Sequence, residues 1–217
     1  MQRGVIILCG GQSTRMGHDK ASLPFGTETM LERVTRIVGE VVARENVVVV
    51  PAPQQQLGPL PQVIVACDAV AHRGPLAGLA TGLRALRGER PNIDAIFTTG
   101  CDFPLLVPAF IGRMFTLLQN FDAAVPFDRS RRYPLAAVYH PRVLPVIDQM
   151  LAAETFKAQD LFNKINTRDV LLDDLRIADP NLHSLRNVNT QAEYADTLAI
   201  AGLATRGDFQ RPDRYLK

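Results

Sequence analysis

Val5-Ile6-Ile7-Leu8-Cys9-Gly10-Gly11-Gln12-Ser13-Thr14-Arg15-Met16-Gly17-His18-Asp19-Lys20 is the stretch that decides the fold. Its first four residues are apolar in succession, the pattern of a central parallel strand buried on both faces. Cys9 and two glycines follow, and then a polar run containing Arg15 and Lys20. Gly10 and Gly11 let the backbone approach a ligand closely, and successive N–H groups in such a turn form a nest for anions. Arg15 and Lys20 add two cations able to hold a triphosphate. The turn is not a P-loop, because no G-K-[ST] follows at the required spacing, and it is not the G-x-G-x-x-G dinucleotide fingerprint. The plainer reading is a glycine-rich turn with solvated charges. So dense a set of glycines and cations directly after a buried strand favours the ligand.

Working outward, short β-branched runs alternate with helical patterns. Met30, Leu31, Val34, Ile37, Val38, Val41 and Val42 recur at the helical period. Val47–Val50 reads as a second strand stopped by Pro51 and Pro53, and 63–65 as a third. Pro75 opens a helix with the stripe Leu76, Leu79, Leu83 and Leu86. Ala95-Ile96-Phe97 is a fourth strand, and Pro108 opens a third helix. Later strands are predicted at 123–125, 135–139 and 170–172, with a helix over 143–152. Thr190 followed by Glu193 has the capping-box spacing and predicts the last helix. This alternation argues an α/β fold: three layers, α/β/α, around a mainly parallel central sheet with right-handed crossovers. Ligands of such sheets bind beyond the carboxyl ends of the strands. Residues 1–204 read as a single domain, and 205–217 as a polar, frayed tail.

Composition excludes several classes. The 217 residues are 47% hydrophobic, enough for a chain of this size to remove roughly 70% of its unfolded surface from water. A formal charge of +2 and no Lys/Arg run argue against a nucleic-acid partner. Aromatics at 6%, with no Trp, offer no stacking platform for single strands. No apolar stretch approaches the ~20 residues of a membrane span, and the amino terminus lacks a signal peptide's apolar core, so a soluble cytoplasmic protein is expected. Cys9, Cys67 and Cys101 have no metal-site spacing and read as small, buried, reduced thiols.

Asp102 follows the fourth strand in Gly100-Cys101-Asp102-Phe103-Pro104. A carboxylate there stands at the mouth of the site, where Mg²⁺ takes one or two carboxylates plus phosphate oxygens. A helix N-cap or a turn residue explains the same Asp equally well. Gly74 and Gly78 flank a helix start aimed at the site, or simply permit close helix–sheet packing. Asn187 and Asn189 flank Val188 and would point to one side of an extended segment, beyond their plain role in leading to a capped helix.

The first stretch resembles the G-G-x-S-x-R-M-G-x-D-K signature of the molybdenum cofactor guanylyltransferase (MobA) family of nucleotidyltransferases. Gly100-Cys101-Asp102-Phe103-Pro104, Gly74-Pro75-Leu76-Ala77-Gly78 and Asn187-Val188-Asn189-Thr190 with Glu193 resemble its further motifs, in the family's order. The resemblance implies a Rossmann-like nucleotidyltransferase fold and transfer of GMP from GTP to the phosphate of molybdopterin, with pyrophosphate released. It implies that Leu8, Cys9, Gly10, Lys20, Asp68 and Asp102 meet GTP, that Arg15 and Lys20 meet its phosphates, and that Asp102 holds Mg²⁺. Cys9 stands where the family usually has Ala. The family's Asn after the second strand has no counterpart here, where Val50-Pro51 stands. Asn187 or Asn189 is implied to contact the acceptor or a second Mg²⁺. Arg131 or Arg132 is suited to the acceptor's phosphate, or forms a solvated surface pair. Transient contact with molybdoenzymes or their chaperones is implied too. A sister enzyme using CTP or another phosphate acceptor, and a non-catalytic GTP-binding protein, are the alternatives these residues leave open.

Overall fold

The computed structural model describes residues 1–9, 19–67 and 74–203. The expectations placed on Gly10, Arg15 and Asp68, and on the tail 205–217, lie outside the described residues.

The apolar runs pair as strands β1 (Gln2–Leu8), β4 (Val47–Val50), β5 (Ile64–Val65) and β6 (Ile93–Gly100), joined by β7 (Ala123–Phe127), β8 (Ala137–Tyr139) and β9 (Thr167–Leu171). Their order in the seven-stranded sheet is β5-β4-β1-β6-β8-β7-β9. β1 is parallel to both neighbours, with Leu8 opposite Val50 on one side and Gly100 on the other. Only β8 runs against its neighbours, so β7 and β9 point the same way as β6. Every parallel strand therefore ends on one edge. β2 (Pro24–Phe25) and β3 (Glu28–Thr29) form a separate small hairpin that the apolar pattern does not announce.

Helices cover both faces. α1 (Met30–Val38) and α3 (Pro108–Leu118) pack with Val5, Ile7, Val49 and Phe97 on one side. α2 (Gly74–Glu89), α4 (Leu144–Ala152) and α5 (Ala158–Leu161) pack with Ile6, Leu8, Val48 and Ile96 on the other. The predicted stripe Leu76, Leu79, Leu83 and Leu86 is buried on this face, each leucine contributing about 1.5–3 kcal/mol by its removal from water. The close helix–sheet packing expected of Gly78 is real, but Gly74, at a positive φ of 72°, would bring a Cβ only to the Phe156 carbonyl at 3.5 Å and not to the sheet. A Cβ on Gly78 would stand 3.1 Å from Leu8, and one on Gly82 2.7 Å from Ile6. α6 (Leu172–Leu175) follows β9 directly, and α7 (Gln191–Ile200) closes the described chain. α7 buries Tyr194 and Leu198 against Leu23, Phe25 and Met30 of the hairpin region, with Val188 among them.

Several expected boundaries shift. The first helix stops at Val38, not Val42, because Gly39, a poor helix former, caps it and the chain continues in tight turns. Val42 stays buried nonetheless. The strand expected over 135–139 begins only at Ala137: Pro134 fixes φ and lacks an N–H, and Pro134–Ala136 coils into a 3-10 turn. Leu172 starts α6 and does not extend β9. Cys9 and Cys101 are buried free thiols, but Cys67 is exposed, since it follows the two-residue edge strand β5. No helix among the described residues is long and apolar enough to cross a membrane.

Candidate active site

Three segments remote in sequence meet at the carboxyl edge of the sheet. Lys20 opens the 3-10 turn Lys20–Ser22, Asp102 lies just beyond β6, and Asn189 precedes the N-cap of α7. The Lys20 ammonium donates to Asp102 Oδ2 at 3.1 Å and to Asn189 Oδ1 at 2.8 Å. The Lys20 and Asp102 side chains keep 18% and 17% of their exposure, so the group is shielded yet open to a ligand.

Local chemistry sets each member. The Asp19 carboxylate caps the Lys20 turn, accepting from the Ala21 N–H at 3.1 Å and from Gln55 Nε2 at 2.8 Å. Gln55 in turn accepts from the Ala52 N–H at 2.8 Å, which ties the β4–β5 connection to the same turn. Asp102 is set by Gly100: a Cβ there would stand 2.3 Å from Asp102 Oδ1, so only glycine admits this carboxylate pose. The Asp102 carbonyl accepts the Val188 N–H at 2.9 Å. Asn189 is held by the capping box that Thr190 and Glu193 predict. Glu193 Oε2 accepts from the Asn189 and Thr190 N–H groups at 2.7 and 2.9 Å, and Thr190 Oγ1 accepts from the Glu193 N–H at 3.2 Å. Val188 is buried, which turns its neighbour Asn189 outward to Lys20.

Residues that sequence reasoning missed support this arrangement. Asp179, 2% exposed, accepts from the His183 and Ser184 N–H groups at 3.0 and 2.7 Å. Fully buried Ser184 accepts the Val107 N–H at 3.0 Å, satisfying a donor at the start of α3. The only signal for this was the turn-forming run Asp179-Pro180-Asn181. Gln55, in a loop of glutamines and prolines, carried no signal at all.

The remaining expected residues separate. Leu8 ends β1 on this edge, and the next N–H, that of Cys9, donates to the Val50 carbonyl at 2.9 Å. The Cys101 thiol is pushed well above its ordinary range by its hydrogen bond with Cys9 and by burial; it stays protonated and serves packing. Asn187 is exposed and has no partner among the described residues. Arg132 lies past the carboxyl end of β7, on the same edge as Asp102. Its guanidinium is engaged bidentately by Asp169, at 2.6 and 2.9 Å, and the Asp169 pairing raises its pKa further. Arg131 is the more open of the two and stacks on Tyr133, 4.6 Å from the ring centre.

Among the described residues no three His, Cys, Asp or Glu side chains cluster as a metal cage. What the site offers is one carboxylate and one amide oxygen, both hard donors. That partial set suits Mg²⁺, which completes its shell with phosphate oxygens and water, and does not suit a closed zinc site. α2 and α3 each follow a strand that ends on this edge, so their amino-terminal ends add positive potential there.

Comparisons with known proteins bear on the chain as a whole. The MobA-like NTP transferase domain matches residues 5–169. A protein of Carboxydothermus hydrogenoformans named "Probable molybdenum cofactor guanylyltransferase" is 32% identical over 200 residues, 92% of this chain and 96% of that one. The "Molybdenum cofactor guanylyltransferase" of Desulfosudis oleivorans is 34% identical over 190 residues, 87% and 90% of the two chains. Among solved structures, molybdopterin-guanine dinucleotide biosynthesis protein A of Archaeoglobus fulgidus superposes with a TM-score of 0.74 at 18% identity, covering 94% of this chain and all 100% of that one; the likeness establishes the fold.

Proposed function

The chain belongs to the MobA-like NTP transferase family, and on that footing we propose that it transfers GMP from GTP to the phosphate of molybdopterin. A phosphate oxygen of the acceptor attacks the α-phosphorus. The bond from that phosphorus to the bridging oxygen breaks, and pyrophosphate leaves with the electron pair. The acceptor phosphate is already an anion at neutral pH, so the step needs no general base. Catalysis then rests on positioning and on charge placed against the phosphates.

One observation carries this reading: a lysine from the glycine-rich segment, a strand-end aspartate and an asparagine before α7 share one hydrogen-bonded cluster at the carboxyl edge. In the proposed assignment Lys20 and Arg15 offset charge on the β- and γ-phosphates as pyrophosphate departs. Leu8, Cys9, Gly10 and Asp68 line the guanine nucleotide. Asp102, with Asn189 beside it, would hold Mg²⁺, which when bound draws electron density from the phosphates and fixes their orientation. Asn187, Asn189 and Arg132 face the acceptor, and Arg132 would exchange Asp169 for the acceptor's phosphate. Residues 1–204 act as one nucleotidyltransferase domain, and the product passes to molybdoenzymes or their chaperones by transient contact.

The test is pyrophosphate release from each of the four nucleoside triphosphates, with and without molybdopterin and Mg²⁺. Release is expected with GTP, and only when acceptor and metal are both present. Release driven by CTP would reassign the base. Tight GTP binding without any turnover would make the protein a non-catalytic nucleotide binder.

A further inference from the structure

The Lys20 ammonium occupies the pair of oxygens that a divalent ion would need. It bonds to Asp102 Oδ2 at 3.1 Å and to Asn189 Oδ1 at 2.8 Å, and these are the hard donors the described site presents. An ammonium and a divalent cation cannot both sit against one carboxylate oxygen and one amide oxygen, because they repel at contact distance and compete for the same lone pairs. The protein thus fills its own cation seat.

The two oxygens sit on short side chains and the ammonium on a long, flexible one. The backbone of Asp102 is pinned by the Val188 N–H on its carbonyl, and that of Asn189 by Glu193 and the buried Val188. On the lysine side the backbone turn is likewise pinned, through Asp19 and Gln55. The four-carbon stem is free to swing a compact charge that has three donors, two of them used among the described residues. A partly exposed lysine–carboxylate pair is weak, and a triphosphate offers several anionic oxygens in exchange for one.

Resting on the nucleotidyltransferase reading, we propose that Lys20 is a displaceable internal cation. It fills the Asp102–Asn189 pair in the free protein and leaves for the phosphates when a triphosphate arrives. The divalent ion and the triphosphate then enter together, each raising the affinity for the other by the same factor.

The chain has only four lysines, Lys20, Lys157, Lys164 and Lys217. Selective ¹³C,¹⁵N-lysine labelling, which leaves the ammonium unaltered, therefore yields a sparse spectrum in which Lys20→Arg assigns the Lys20 signal. Inorganic tripolyphosphate without metal is expected to shift that signal. In parallel, Mn²⁺ binding without nucleotide is read by electron paramagnetic resonance. Wild type and Lys20→Arg are expected to bind Mn²⁺ weakly, Lys20→Met at least tenfold more tightly, and the Lys20→Met/Asp102→Asn double variant weakly again. Arg33→Met, which removes a cation whose Nε sits on the Pro104 carbonyl at 2.6 Å and not on the oxygen pair, should change Mn²⁺ affinity less than twofold. Equal Mn²⁺ affinity in wild type and Lys20→Met, an equal gain in Arg33→Met, or a Lys20 signal unmoved by saturating tripolyphosphate would each overturn the proposal. Neither readout uses a base or an acceptor. Failed guanylyl transfer with these results intact would remove the assigned reaction and leave the displacement standing, and the reverse pattern would remove the displacement alone.

Discussion

Lys20 Nζ and the Asn189 side-chain oxygen lie 2.8 Å apart although 169 positions separate the two residues in the chain. The contact exists because α7 docks on the hairpin that follows the Lys20 turn. Tyr194 of α7 donates from its hydroxyl to the Pro24 carbonyl, and Phe25, Met30 and Leu198 pack beneath it. An element formed near the end of the described chain thereby completes a site opened by its first strand.

Removing either charged member of the cluster should abolish most turnover while sparing the fold. Lys20→Ala and Asp102→Ala are each expected to lower the rate of pyrophosphate release by about 10²–10³. Their urea midpoints should stay close to wild type, because the pair is partly exposed and contributes little to stability. Wild-type turnover in either variant would remove that residue from the proposed machinery.

Gly100→Ala tests whether Asp102 must hold its present pose. The new methyl group would meet Asp102 Oδ1 at 2.3 Å and Phe103 at 3.2 Å, so the carboxylate has to move. A misplacement of about 1 Å can cost on the order of 10²-fold in rate. We expect a loss of that order in kcat, with far-ultraviolet circular dichroism unchanged. Retained kcat would mean that the carboxylate pose is not critical.

Ser184→Ala would leave the Val107 N–H without its acceptor at the start of α3. The expected cost is about 1–3 kcal/mol of unfolding free energy, measured by urea titration. Asp179→Ala should cost at least as much, because two backbone N–H groups lose their acceptor in a buried place. Changes below about 0.5 kcal/mol in both would show that water replaces these bonds.

Glu28 gives stability a pH dependence. Its hydrogen bonds with Arg36, helped by Arg33, hold its carboxyl below the ordinary carboxylate range. A group lowered in the folded state contributes stability that is present above its unfolded pKa and is lost as pH falls through the folded one. The melting temperature of wild type should therefore exceed that of Glu28→Gln at pH 7, and the two should converge as pH falls below the normal titration range of glutamate. A gap that persists unchanged at low pH would point to packing, not charge.

The strands legible from sequence were those whose burial is local and continuous, such as Val5–Leu8 and Val47–Val50. The capped start of α7 was equally legible, because Thr190 and Glu193 satisfy each other within one turn. The β2–β3 hairpin was not, since two residues per strand carry no periodicity. Nor was the end of α1, where the apolar spacing runs on through Val42 after Gly39 has stopped the helix. Cys67, at the end of an apolar run, lies exposed because its strand is a short edge.

By itself the amino-acid sequence determined the layered α/β architecture, and it singled out Lys20 and Asp102, which the structure brings together on the carboxyl edge of the sheet. These follow from hydrophobic runs and from short motifs, whose physics acts between near neighbours. Only the tertiary structure decided that Asn189, and not Asn187, meets Lys20, that Arg132 is engaged by Asp169, and that Asp179, Ser184 and Gln55 brace the site. Those pairings depend on which surfaces come together when separate elements pack, and contacts of that kind leave no periodic trace along the chain.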